Sequence, residues 1–258
     1  MSTNLFPATL TGTINNIFKT TPIFPVMRKL IPATDTRITT ADTAHPGRFL
    51  NGNEQQKLQK YKLDKRRSEY LTGRICGKIS VINFFKTCFQ YTIEMEQIEI
   101  INSKHGRPSL SIQPAPPYPV PDISISHSKE YVMAITSRRY CGVDIQKQKD
   151  SLYRVKEKYC LKGEQTILQR AFVADNELSQ LAILWSAKEA IQKCLSGETM
   201  PYFTEIILQE YKRATDDSAV LTFALQDERT KQWPEYITVV AGIFRDYALA
   251  ITTLKENR

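Results

Sequence analysis

Apolar positions along this 258-residue chain fall alternately at helical and strand-like spacing. Residues 1–45 are rich in Thr, Pro and Asn with little periodicity, which predicts an irregular extension over the main body. From Asn53 to Phe85 the pattern is helical, with Leu71, Ile75 and Ile79 four residues apart. Lys65, Arg66 and Arg67 crowd the first half of the same segment. The stretch YTIEMEQIEII (91–101) partly alternates and predicts a strand. KHGRPSL marks a turn into a short extended stretch, and the prolines of PAPPYPVP predict a loop.

The chain then becomes strand-rich. DISISHS alternates Ile with Ser, and YVMAIT and CGVDIQ, separated by SRRY, predict a hairpin. Helical patterns cover about 151–171 and 177–195, followed by four strand candidates: FTEIILQ, AVLTFAL, YITVVAGIF and YALAITTL. No short-period repeat is present, but each half carries a long helix followed by strands, with a seam near residues 127–140. The expected fold is α+β in two similar halves: an extension over 1–45, one half over 46–132, and a second over 133–258.

Composition narrows the class. Hydrophobic residues at 41% and charged residues at 24% describe a soluble globular chain with material for a core. There is no apolar run long enough to cross a membrane, and the N-terminus lacks the basic start and apolar block of a signal peptide. Five cysteines without CxxC spacing suit reduced thiols and a cytoplasmic location. The formal charge of +8 calls for an anionic partner. Nucleic acid meets that need, yet no helix-turn-helix, zinc-ligand or RNP-type pattern supports it.

WSAKEAIQKC (185–194) is the most informative helix. Leu184, Ala187, Ile191 and Leu195 form one stripe, and Glu189 and Lys193 project from the other side. Alone they read as a solvated pair four residues apart, contributing about 0.2–0.5 kcal/mol. Asp144 is either a capping residue at a strand edge or a ligand for a hard cation. His127, between Ser126 and Ser128, is either a structural histidine or a phosphate contact. A serine hydrolase is rejected, since there is no G-x-S-x-G elbow. Arg107 follows Gly106 and precedes Pro108, a turned backbone suited to holding a guanidinium at a ligand or facing it to solvent. The Lys65–Arg67 cluster is either a wet helix face or a phosphate anchor.

Taken in order, GRP, ISHS, GVDIQ and WSAKEAIQK resemble the larger, surfactin-synthetase-activating type of 4′-phosphopantetheinyl transferase. The last two motifs are about 45 residues apart, and the resemblance runs over about residues 53–195. It implies a pseudo-dimeric fold with coenzyme A in the cleft between the halves. It also implies transfer of phosphopantetheine to a serine of an apo carrier protein, with release of 3′,5′-ADP. Asp144 and Glu189 are then expected to bind Mg²⁺ (or Mn²⁺), with Glu189 as base. Lys193 and Lys188 are expected at the phosphates, and Ser126, His127, Arg107, Lys65 and Arg66 at the nucleotide end, with Lys57 a neighbour. Gln146 stands where many relatives carry a third carboxylate as metal ligand, so that either a water fills that position or Gln146 orients the water and joins the metal site through it. The implied partners are acidic acyl or peptidyl carriers of fatty-acid, polyketide, siderophore or nonribosomal peptide synthesis. No nucleic acid or membrane is involved, and the expected state is a monomer. A catalytically degenerate relative or basic nucleic-acid module is the competing class.

Overall fold

The chain divides into two units between Arg138 and Arg139, and the N-terminal segment is shared out between them. The segment up to Phe6 and Ile23–Arg138 form the first unit, while Pro7–Pro22 and the chain from Arg139 form the second. The structure, a computed structural model, describes residues 4–32, 49–103, 106–171, 176–195, 200–226 and 233–254. The expected irregular extension carries regular elements, helix α1 (Ala8–Ile17) and strand β1 (Val26–Lys29), and its residues 33–45 lie outside the described set. The seam at 138/139 falls a few residues beyond the expected 132/133 boundary.

In the first unit β1 precedes helices α2 (Gly52–Lys60) and α3 (Asp64–Phe89). Strands β2 (Ile98–Asn102), β3 (Pro108–Ile112), β4 (Asp122–Ser128) and β5 (Tyr131–Ser137) follow. Asn51 caps α2 in a capping box with Glu54, so two orphan backbone N–H groups of its first turn are satisfied. Helix α3 ends at Gln90, whose φ of 53° turns the chain out of the helix. Strand β5 lies between β1 and β4, and β2 pairs with β3.

In the second unit β6 (Cys141–Lys147) precedes the short α4 (Ser151–Arg154), α5 (Lys162–Ala171) and α6 (Glu177–Leu195). Four strands follow: β7 (Ile206–Thr215), β8 (Ser218–Leu225), β9 (Tyr236–Phe244) and β10 (Tyr247–Thr253). They form one antiparallel sheet in the order β6-β10-β9-β8-β7. Helix α1 joins this unit, where Thr13 Oγ1 meets Ser218 Oγ at 2.9 Å. The SRRY segment is not a hairpin: β5 and β6 belong to different sheets, and these residues carry the chain from one unit to the next. The pattern misled because two adjacent strands and a short polar link look the same whether or not the strands pair.

Both units repeat one order: a strand, helices, then four strands, with the first strand antiparallel to the last. Each also repeats one buried ion pair. Lys78 Nζ lies 2.5 Å from Glu54 Oε2, and Lys188 Nζ lies 2.9 Å from Glu164 Oε2, both across 24 residues. The other carboxylate oxygen accepts the N–H of the third residue of the next strand, Ile100 at 3.1 Å and Leu208 at 2.8 Å. The hairpins match as well. Lys129 and Arg245 both have positive φ (53° and 56°), followed two residues later by the buried Tyr131 and Tyr247.

A buried charge that loses its partner is left uncompensated. Glu164→Ala is therefore expected to cost about 3–5 kcal/mol in chemical denaturation. Breaking the exposed Lys156–Glu177 pair with Glu177→Ala is expected to cost less than about 1 kcal/mol.

Candidate active site

Successive residues of β6 point to opposite faces, so Gly142, Asp144 and Gln146 share the side that receives α6. Gly142 sets the approach. A Cβ there would lie 1.8 Å from Ala190 O and 2.7 Å from Cys194 N, so only glycine lets helix and strand meet at backbone distance. Cys194 Sγ donates to Tyr140 O at 3.2 Å and ties the same two elements just before β6 begins.

This packing brings Asp144 to the exposed edge of α6. Lys193 Nζ lies 2.7 Å from Asp144 Oδ1 and 3.9 Å from Glu189 Oε2. The Asp144 carboxylate is 7% exposed, and Glu189 and Lys193 are 29% exposed. The surface-pair alternative thus fails on geometry, because the lysine's nearer partner is the aspartate 49 residues upstream. Burial pushes the Glu189 carboxyl above its ordinary pKa, Asp144 pushes it the same way, and Lys193 draws it back. Gln146 is part-buried, and its amide nitrogen donates to Lys147 O at 2.8 Å.

Asp144 and Glu189 offer only oxygen donors, the kind that hard divalent cations take. Among the described residues no group of three or more His, Cys, Asp or Glu side chains is placed to hold a metal. Two carboxylates suit Mg²⁺, which keeps several of its waters. Lys188, expected at the phosphates, is placed elsewhere. It is fully buried, paired with Glu164 and donating to Phe203 O at 3.0 Å. It is a scaffold lysine, one position along the helix from Glu189 and therefore turned about 100° away from it.

The first unit holds a cavity of about 350 Å³, lined by Lys57, Arg66, Glu69, Tyr70, Arg74 and His127, among others. Glu69, 7% exposed, gathers basic side chains: Arg66 at 3.1 Å, His127 Nδ1 at 3.6 Å and Lys65 at 3.8 Å. The Arg74 guanidinium stacks over the Tyr70 ring at 4.5 Å and donates to Asn102 at 2.8 Å. Arg66 and His127 are therefore brought together. Ser126 is not: it is buried on the opposite face of β4 from His127. Arg107 is half-committed, with its guanidinium 2.5 Å from Asp122, while its neighbours Gly106 and Pro108 line the cavity. Glu69, Tyr70, Arg74 and Asn102 were missed in the sequence. The available signal was Arg66, Tyr70 and Arg74 at four-residue spacing, one stripe of α3.

The repeat shows how differently the two units are equipped. Aligned on the paired lysines and on the hairpin tyrosines, Asp144, Glu189 and Lys193 correspond to Val26, Ile79 and Asn83. Conversely, Arg66, Glu69 and His127 correspond to Asn176, Ser179 and Ile243. Each unit carries one polar set and lacks the other.

Residues 140–252 match the family model described as the 4′-phosphopantetheinyl transferase superfamily. That range includes Asp144, Gln146, Lys188, Glu189 and Lys193, and leaves out the first unit's cavity. The chain is similar to a holo-[acyl-carrier-protein] synthase of Staphylococcus saprophyticus subsp. saprophyticus. The two are 29% identical over 87 residues, covering 34% of this chain and 72% of that protein. Among solved structures it is similar to a holo-(acyl-carrier-protein) synthase from Bacillus anthracis str. Ames in complex with CoA (3′,5′-ADP). The identity is 24% and the TM-score 0.34, over 45% of this chain and 92% of that one. A holo-ACP-synthase from Plasmodium yoelii matches at 17% identity and a TM-score of 0.32, over 45% of this chain and 94% of that one.

Because the folded state raises the Glu189 pKa, ionised Glu189 costs stability at neutral pH, and the cost fades as the solution becomes acidic. Without divalent cations, Glu189→Gln is expected to raise the melting temperature at neutral pH. The gain is expected to vanish by about pH 4, near the ordinary Glu value. Gly142→Ala is expected to lower stability by about 1–3 kcal/mol through overpacking, read from the same melts.

Proposed function

We propose that this chain moves the 4′-phosphopantetheine group from coenzyme A to a serine of an apo acyl or peptidyl carrier protein. The reaction is Mg²⁺-dependent and releases 3′,5′-ADP. One observation carries the proposal: Asp144, Glu189 and Lys193 converge within the segment that matches the superfamily model. Asp144 and Glu189 would hold the metal, with Gln146 reaching it through a water. When bound, the ion neutralises the pyrophosphate and activates it as an electrophile.

The remaining chemistry belongs to side chains. Glu189, whose pKa is raised, is suited to accept the carrier serine's proton. Lys193 offers an ammonium to the pyrophosphate and to the departing 3′,5′-ADP. The nucleotide end is assigned to the first unit's basic side chains, with His127 and Arg66 at the phosphates and Lys65 and Lys57 beside them. Arg107 steadies the turn beside that cavity through Asp122. The shared element order of the two units supports the large, pseudo-dimeric type. A charge of +8 favours encounter with both coenzyme A and an acidic carrier. No helix in the described residues is long and apolar enough to cross a membrane.

Mass spectrometry of a panel of apo carriers incubated with the protein, coenzyme A and Mg²⁺ is expected to show addition of one phosphopantetheine. The relative rates identify whether fatty-acid, polyketide, siderophore or peptide carriers are preferred. Glu189→Gln is expected to lower kcat by about 10²-fold or more. A panel in which no carrier gains mass overturns the assignment.

A further inference from the structure

We infer that Lys193 is the resident counter-ion of the Asp144–Glu189 pair, holding the cation position until a metal ion enters and displaces it. The inference rests on the transferase proposal, which supplies the metal, and adds a step that precedes substrate.

The geometry is that of a cation held by two carboxylates. The ammonium lies 2.7 Å from Asp144 and 3.9 Å from Glu189, with Asp144 buried and Glu189 largely so. Two ionised carboxylates in such a place repel each other, and one positive charge between them relieves the repulsion.

The repeat provides independent support. Lys78 and Lys188, which hold the scaffold together, are present in both units with their glutamates. Lys193 behaves differently. Its counterpart is Asn83, in the unit where Val26 and Ile79 replace the two carboxylates. The lysine is therefore present with the carboxylates and absent without them, as a counter-ion is, and not as a packing residue of the helix.

Two features allow it to leave. Lys193 is 29% exposed, whereas Lys188 is fully buried, and its four-carbon stem can swing without moving the helix. A divalent ion entering between Asp144 and Glu189 repels the ammonium. Metal loading then frees the charge that coenzyme A phosphates need, and the lysine's grip sets a threshold for metal entry without substrate.

The test uses the full chain without coenzyme A and Mn²⁺ as the probe, with free ion followed by electron paramagnetic resonance. Asp144→Asn is expected to abolish binding. Lys193→Met, which keeps the stem and removes the charge, is expected to bind Mn²⁺ about tenfold more tightly than the unmodified chain. That factor is the weight of one charge-assisted hydrogen bond. Mg²⁺ is also expected to raise the melting temperature of Lys193→Met more than that of the unmodified chain. Lys193→Gln serves as a second variant should the methionine chain not fold. Equal or weaker binding by these variants overturns the counter-ion role, while carrier modification by the unmodified chain would leave the transferase assignment standing. Tighter Mn²⁺ binding with no carrier modified would instead retain the counter-ion and remove the transferase.

Discussion

One buried carboxylate organises the second unit. Glu164 accepts from Leu161 N at the start of α5, from Lys188 Nζ in the middle of α6, and from Leu208 N in β7. Three elements distant in sequence meet at two oxygens, each of which would be costly to leave unpaired in an apolar core. The pair therefore acts less as a source of net stability than as a constraint on register. Shifting α6 by one residue would bury Glu189 where Lys188 now lies and strand Glu164. The first unit obeys the same constraint through Glu54 and Lys78, with Ile100 in place of Leu208.

With the helix held in this register, the candidate chemistry becomes a matter of adjacent positions. Lys188 points inward to Glu164, and Glu189, the next residue, emerges beside Asp144. Gly142 then determines how close the helix lies to β6, and so whether Asp144 can reach Lys193. In the first unit Ser80 takes the helix position equivalent to Ala190, and its hydroxyl donates to Phe24 O, the strand position equivalent to Gly142. There, helix and strand meet through a side chain rather than backbone to backbone. The polar residues that follow from close approach are replaced by Val26 and Ile79.

Part of this was legible beforehand. The helical span that became α2 and α3, the β4 strand, and the terminal β9–β10 hairpin were all carried by local spacing and turn residues. The convergence of Asp144 with Glu189 and Lys193 was suggested by motif order and is met by the geometry. Other readings failed where tertiary context outweighed local pattern. SRRY looked like a turn because pairing partners cannot be read from a strand alone. Lys188 looked functional because it sits in a motif, yet only its distance to Glu164 reveals a scaffold role. Ser126 and His127 were read together as neighbours in sequence, whereas a strand sends neighbours to opposite faces.

The sequence by itself determined the class of elements and the candidate set of acidic and basic residues. These depend on short-range physics: the periods of helix and strand, turn chemistry, and charge. Only the tertiary structure decided which lysine is buried and which is poised, that Arg66 and His127 meet at Glu69, and that Lys193 lies on Asp144. Those outcomes depend on desolvation and pairing between residues dozens of positions apart, and such energies exist only once the chain has folded.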